Sequence, residues 1–403
     1  MLPLPDAFRL IKETVAPLGA ETVKLSAAVG RVLATDITSD VDSPPHNKSV
    51  MDGYAVRSDD ITSTGVSLEV VETIVAGAWP TKSVSAGQAA RIMTGAPVPE
   101  GADSVVMIEQ TSSDESKRVT INVDTVMAGK HVMLKATSLA VGKIVFEKGH
   151  RVRPTDIGLL AEVGAHEIQV QKQPTVAILP TGDELVDSTE LPGLGQIRNS
   201  NGPMLVAMTS ALGLTVNDLG IGRDNEAELQ TAIEKGLESD LLILSGGVSA
   251  GLLDLVPGIL NKLGVQQVFH KVAVKPGKPI WFGVLERGDS KTYVFGLPGN
   301  PVSSLVGYRL FVRTGINIMQ SHPSPEPQMF KAKLATEHQV RGNRPTYWPG
   351  RWVDSATETR IAEPLGWQGS SDLRALGQAE LLVYLDYEPS IHPAGEIVDV
   401  VEL

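Results

Sequence analysis

Apolar residues recur three and four positions apart through PDAFRLIKETVAPL near the start of the chain, a spacing that predicts an amphipathic helix. A second amphipathic segment, SAAVGRVLATDI, runs to the breaker DSPPHNKS. From residue 50 to about 129 the rhythm shortens to alternating runs, VSLEVVETIVAG, GQAARIMTG, DSVVMIEQT and RVTINVDTV, each bounded by Gly, Pro, Ser or Asp, and this predicts a β-rich module. Mixed character returns over residues 131–171, where PTDIGLLAEVG reads as a short helix capped by Thr155 or Asp156.

Beyond Gln173 the pattern becomes strand, helix, strand. TVAILP, a helix over residues 202–212, TVNDLGI, the helix NEAELQTAIEKGLES, DLLILSGG, a helix near LDLVPGILNKLG, the strands VFHKVAV, PIWFGVL and TYVFGLPG, and a helix after Pro301 follow in turn. Such alternation predicts a mostly parallel sheet with helices on both faces and ligands at the carboxyl ends of its strands. The proline-crowded linker MQSHPSPEPQM then leads into short strand-like runs. The expected fold class is therefore α/β multidomain. A discontinuous N-terminal mixed α/β domain (1–45 with 131–171) carries a β-rich insertion (46–130). A βαβ domain (172–318) and a C-terminal β domain (319–403) follow.

Length agrees, since 403 residues at about 150 per domain make two to four domains. No apolar run approaches the roughly 18 residues of a membrane span, so no membrane association is expected. The first residues hold an early acid and no unbroken apolar segment, so a signal peptide is not expected and the cytoplasm is the expected compartment. Cysteine is absent, which excludes disulfides, thiolate metal sites and cysteine nucleophiles. A net charge of −12, no basic run and 4% aromatic residues argue against a nucleic-acid partner.

The chemistry is expected in three strand-end loops. In LPGNPVSS the strand ends at Leu297 and Pro298, Gly299 turns the backbone, Asn300 caps, and Pro301 takes the first helical position. Free amides and the hydroxyls of Ser303 and Ser304 then suit an anion. LSGGVSAGLLD repeats the design with Gly246 and Gly247 for close approach, Ser245 and Ser249 as hydroxyls, and Asp254 within reach of a cation. LPTGDEL adds the acids Asp183 and Glu184. No Walker A loop or Gly-x-Gly-x-x-Gly fingerprint occurs. Alone, such a loop reads rather as a ligand-free connection; three in one sheet favour a phosphate-bearing ligand. Asp183, Glu184, Asp224 and Asp254 all follow strands and as oxygen ligands suit Mg²⁺ bridging to phosphate, although each also reads as a helix cap. In HKVAVKPGKP, Lys271 and Lys275 share one face of an extended strand while the PGK turn presents Lys278, grouping cations beside the anion loops.

SVMDGYAV, RIMTGAPVPEGAD, PTGDEL, SGGVSAGLLD, KPGKP and LPGNPVSS, in this order, resemble the molybdopterin molybdenumtransferases, which include bacterial MoeA proteins and the gephyrin E domain. The resemblance runs from the N-terminus to about Tyr308. It implies a homodimer whose βαβ domain holds adenylyl-molybdopterin. The implied reaction is Mg²⁺-dependent hydrolysis of the adenylate with insertion of molybdate into the pterin dithiolene. It implies that Thr181, Gly182, Ser245, Gly246, Gly247 and Ser249 help bind the molybdopterin substrate. Asp183, Glu184, Asp224 and Asp254 would serve the metal and phosphate chemistry, and Lys271, Lys275 and Lys278, aided by the PGNP amides, would receive molybdate or phosphate. Asp52 and Thr94 match positions that complete the partner subunit's cleft, and Arg344 and Ser371 match positions lining the oxyanion pocket. Other cofactor-biosynthesis proteins are further implied partners.

Two departures stand out. His46-Asn47-Lys48 replaces the family's Phe-Asp-Asn, and MLKATSL carries Ala136, Thr137 and Ser138 where relatives carry Gly-Glu-Asp. Loss of those carboxylates keeps an alternative open: a catalytically impaired or non-catalytic relative acting as a pterin-binding or scaffold protein.

Overall fold

The computed structural model describes residues 1–113, 117–248, 255–353 and 360–403. At its centre lies a six-stranded sheet made of Val176–Pro180 (β1), Val216–Asp218 (β2), Leu241–Ser245 (β3), Gln266–His270 (β4), Trp281–Arg287 (β5) and Ser290–Leu297 (β6), in the order β2-β1-β3-β6-β5-β4. β2, β1, β3 and β6 pair in parallel, and β5 pairs antiparallel with both neighbours. The reversal has a local cause: Arg287 faces Ser290 across two residues, one of them Gly288 with φ +60°, and a connection that short permits only a hairpin.

β1 and β3 are buried throughout, which is why VAILP and LLILS read as continuous apolar runs rather than alternations. Their side chains divide between two cores. Val176, Ile178, Leu241, Ile243 and Phe295 face the helices Asn201–Ser210 and Pro301–Gly307, whereas Ala177, Leu179, Leu242 and Leu244 face Glu226–Gly236 and Val256–Lys262. Each such aliphatic side chain stabilises the fold by about 1.5–3 kcal/mol on burial. Helices therefore cover both faces, and every parallel strand delivers its carboxyl end to one rim.

The helix Leu4–Thr14 lies apart from the residues that follow it. Ala7 and Ile11 join the first of these cores, to which the C-terminal unit also contributes Tyr347, Leu382 and Val401. Ala20–Lys24 instead pairs with Glu167–Gln171, and Ile37–Thr38 with Ile144–Phe146, around a small core. Between them stands a second six-stranded sheet, with Ser104–Met107 at one edge and Thr111–Ser113 at the other. At the C-terminus, Phe330–Leu334, Ile361–Pro364, Thr346–Val353, Leu381–Leu385 and Ile397–Glu402 close a five-stranded barrel.

Several local expectations need correction. The amphipathic segment SAAVGRVLATDI forms no α-helix: it starts within the 3-10 turn Leu25–Ala27, Gly30 takes φ +81°, Val32 and Leu33 form bridges to Arg151 and Val170, and Ile37 enters a strand, so tertiary pairing sets its conformation. Thr155 makes no side-chain cap, and the Asp156 carboxylate accepts from the Arg153 N–H at 2.8 Å instead. VFHKVAV is not one strand. β4 stops at His270, Lys271 has φ +71°, and Lys271 and Lys275 do not share a strand face. After Pro301–Gly307 the helix passes through a π turn, Tyr308–Val312, into Arg313–Met319.

Candidate functional site

At the rim the three loops meet. The Thr181 N–H donates to the Ser245 carbonyl at 2.8 Å, and the Gly246 N–H to the Leu297 carbonyl at 3.0 Å. The glycines are required here: a Cβ on Gly246, whose φ is +98°, would lie 2.4 Å from the Thr181 carbonyl oxygen, and one on Gly247 would lie 2.9 Å from Thr181 Oγ1. Asn201, a residue the motifs do not single out, ties the other two loops together. Its amide nitrogen donates to Ser245 Oγ at 2.9 Å and to the Gly299 carbonyl at 2.7 Å. Asn201 Oδ1 and Thr181 Oγ1 remain buried without a partner among the described residues, so polar valence stays open at the junction.

A recess of about 730 Å³ opens there, lined by Thr181, Ser245, Gly247, Asn201 and Gly299, and by Ser371 from the C-terminal unit. Glu184 lies at its wall with its carboxylate folded over Gly182, where an added Cβ would come within 2.4 Å of Oε2. Asp183 and Asp224 sit beside each other: the Asp224 N–H donates to Asp183 Oδ1 at 3.0 Å and the Asp183 N–H to Asp224 Oδ2 at 3.4 Å. Among the described residues no three acids or imidazoles gather as a metal cage. Asp254 and Ser249 lie outside the described residues.

A second recess of about 460 Å³ shares Pro279, Pro298 and Asn300 with the first. Lys275, Lys278 and Arg344 line it together with Ser303, and no carboxylate among the described residues does. Lys275 Nζ donates to the Arg341 carbonyl at 2.9 Å and Arg344 Nη1 to the Val274 carbonyl at 2.7 Å. Burial, and then the charges of Arg344 and Arg341, hold the Lys275 ammonium below its ordinary value; burial lowers Arg344 too. The wall includes Trp367, whose buried indole N–H has no partner among the described residues. Neither Trp367 nor Asn201 carries a motif signal.

Other expected residues are placed differently. Lys271 lines neither recess; its carbonyl accepts from the Leu2 N–H at 2.9 Å. Asn300 has an extended backbone at the helix start but makes no side-chain cap, because its amide nitrogen donates to Ser370 Oγ at 2.9 Å. The Val302 amide, expected to be free, donates to the Ser370 carbonyl at 3.0 Å. Arg344 and Ser371, expected in one pocket, line different recesses. Asp52 lies on the exposed face of the inserted sheet unit, where its Oδ1 accepts from the Thr94 N–H at 2.6 Å and from Thr94 Oγ1 at 2.7 Å. Those bonds, the backbone one first, hold its carboxyl below the usual range.

Three family models match the chain in order: "MoeA N-terminal region (domain I and II)" over residues 2–164, "Probable molybdopterin binding domain" over 177–317, and "MoeA C-terminal region (domain IV)" over 331–403. The chain is 34% identical to the molybdopterin molybdenumtransferase of Staphylococcus epidermidis RP62A, with 98% of this chain and 94% of the relative aligned. It is equally 34% identical to that of Staphylococcus aureus MRSA252, over 99% and 95%. The chain belongs to the molybdopterin molybdenumtransferase family.

Molybdopterin molybdenumtransferases are enzymes of molybdenum cofactor biosynthesis, and the architecture agrees with that membership. The molybdopterin biosynthesis MoeA protein of Pyrococcus horikoshii OT3 superposes with a TM-score of 0.83 at 26% identity, covering 100% of both chains. A second crystal structure of the P. horikoshii protein gives 0.81 at 29% identity. Among the described residues, no helix is long and apolar enough to cross a membrane.

In this transferase the segment carrying Thr137 and Ser138 is exposed and held by local bonds. Ala136 has φ +58°, Thr137 Oγ1 donates to the Leu134 carbonyl at 2.6 Å, and Lys135 pairs with Asp42 at 3.1 Å.

Proposed function

We propose that the chain hydrolyses adenylyl-molybdopterin and inserts molybdate into the molybdopterin dithiolene. The observation that supports this most is the adjacency of the two recesses: one built of backbone turns and hydroxyls with Glu184 on its wall, in the loop that also carries the Asp183–Asp224 pair, the other lined by three cations and, among the described residues, no acid. The first suits phosphate groups presented to Thr181, Ser245 and the glycine-rich turns, which accept close approach because they carry no Cβ. The second suits molybdate, a dianion, because Lys275 and Arg344 are partly desolvated and no carboxylate among the described residues lines the recess.

Mg²⁺ keeps several waters and uses one or two carboxylates plus phosphate oxygens, so a pair such as Asp183 and Asp224 fits it without a closed protein cage. Asp183, Asp224 and Glu184 would hold it, with Asp254 in the same role. Bound there, Mg²⁺ would neutralise charge developing on the adenylate phosphates. The Asp183–Asp224 bonds fix two carboxylates in place before substrate arrives, and Asn201 fixes the relation between the Ser245 and Gly299 turns. We further propose a cytoplasmic homodimer in which Asp52 and Thr94 reach the partner's cleft. The fourfold division outlined from the sequence is the matching domain plan.

A second reading, binding of pterin without turnover, is favoured by Thr137 and Ser138 in place of acids and by the commitment of Lys135 to Asp42. Complementation separates the two. In cells lacking their own transferase, this chain should restore a molybdoenzyme at low molybdate. Soluble protein that binds molybdopterin yet restores nothing would establish the second reading.

A further inference from the structure

Far along the helix that begins at Pro301, a different group of cations is half-buried. Arg309 and Arg313 stand four residues apart, on consecutive turns. Arg309 donates through Nη2 to the Glu402 carbonyl, while its Nε is buried with no partner among the described residues. Arg313 makes no hydrogen bond or ion pair among the described residues, although it is half-buried. Arg151 approaches from the N-terminal unit, anchored by Nη1 to the Gly30 carbonyl at 2.7 Å and by Nη2 to Gln320 Oε1 at 3.3 Å. His322 completes the group.

Arg309, Arg313 and His322 border a recess of about 880 Å³ that Lys12, Asn317 and Glu326 also line. Glu326 is the one carboxylate on its wall among the described residues, and Lys12 claims it at 2.6 Å. Glu402, whose charge acts on Arg309, pairs with Arg360 at 3.1 Å. The excess charge is therefore real, and it cannot be relieved by proton loss because arginine stays protonated in proteins. Burial first, and then repulsion from Arg313, disfavours the charged forms of Arg151 and Arg309. Desolvated cations without counter-charge are expensive, and in a chain of net charge −12 a local positive recess draws anions. Guanidinium forks match the tetrahedral geometry of phosphate, and the volume leaves room for more than the phosphate alone.

We propose that this recess is a second ligand site, separate from the strand-end recesses, which takes a phosphate-bearing small molecule with its phosphate between Arg309 and Arg313. It lies between the helix, Lys12 of the helix Leu4–Thr14 and the segment ahead of the barrel, so occupancy would tie these parts together.

The test is titration of the full chain with inorganic phosphate against chloride at matched ionic strength, read by calorimetry and thermal unfolding. Wild type should bind phosphate saturably and melt higher. Arg313→Gln should lose at least about tenfold in affinity, with Arg309→Gln as a second variant, while a Lys275→Ala/Arg344→Ala chain keeps the Arg313-dependent binding. In chloride, Arg313→Gln should melt no lower than wild type, since it removes an uncompensated charge. Phosphate acting no better than chloride would overturn the proposal, as would binding indifferent to Arg313→Gln. So would a phosphate-independent loss of self-association in Arg313→Gln, because a second copy's acid would then be the counter-charge.

Discussion

Asp183 and Asp224, 41 positions apart in sequence, cap each other's backbone: each carboxylate accepts from the other's amide, at 3.0 and 3.4 Å. The arrangement keeps the two carboxylates together although like charges repel. Asn in place of Asp183 retains an acceptor for the Asp224 amide and removes the charge. Asp183→Asn should thus fold and melt like wild type while losing adenylate hydrolysis by at least about a hundredfold, on the scale of a lost charge-stabilising group. Hydrolysis assayed across Mg²⁺ concentrations checks this. Turnover close to wild type would remove Asp183 from the metal role.

Gly246→Ala should be damaging for a different reason. The new Cβ would sit 2.4 Å from the Thr181 carbonyl at a φ of +98°, so either the Thr181 turn moves away or the β3 turn unwinds. We expect a loss of about 2 kcal/mol or more of stability together with weakened pterin binding. Denaturant melts of Gly246→Ala and of Gly258→Ala, where a Cβ meets nothing, provide the comparison.

The depressed Lys275 ammonium gives a pH dependence of definite sign. Its folded value lies below the ordinary 10.5, so between the two values the unfolded chain binds more protons and the ligand-free protein gains stability as pH rises. Oxyanion binding needs the protonated form and should weaken over the same window, before an ordinary lysine would titrate. Molybdate affinity measured upward from neutral pH should fall early in wild type and hold further in Lys275→Arg. An affinity flat to 10.5 in wild type would exclude Lys275 from the oxyanion site.

Asp52 and Lys275 offer a test of a cleft shared between subunits. If Asp52 serves the partner's recess, Asp52→Ala and Lys275→Ala homodimers are both impaired, but a mixed dimer places both lesions in one cleft and leaves the other intact. Co-expressed, differently tagged chains purified as heterodimers should regain roughly half of wild-type turnover, as independent sites predict. No regain would confine Asp52 to its own subunit or to the local cap on Thr94.

Much of this molecule is legible in its sequence because the relevant physics is local. LLILS reads as a buried strand, and glycines such as Gly246 mark turns where a Cβ cannot fit. What escapes is set by distance along the chain. Asn201 meets Ser245 and Gly299 across 44 and 98 positions, and no spacing rule reports that. Nor does periodicity give strand direction, so the reversed β5 follows only from the brief link at Gly288. Lys271 misleads for the opposite reason, since its neighbours look extended and one positive φ ends the strand.

The Lys275 loop is stitched to the barrel by main chain: the Lys275 N–H donates to the Pro345 carbonyl at 2.9 Å and the Tyr347 N–H to the Lys275 carbonyl at 2.7 Å. The backbone atoms that aim this ammonium therefore belong to a seam between two bodies. Any swing of the barrel would have to tear that seam, and in doing so would scatter Lys275 from Arg344. Barrel orientation and cation clustering are one mechanical coordinate, so a substitution at the seam, remote from any substrate, would register as a change in anion affinity.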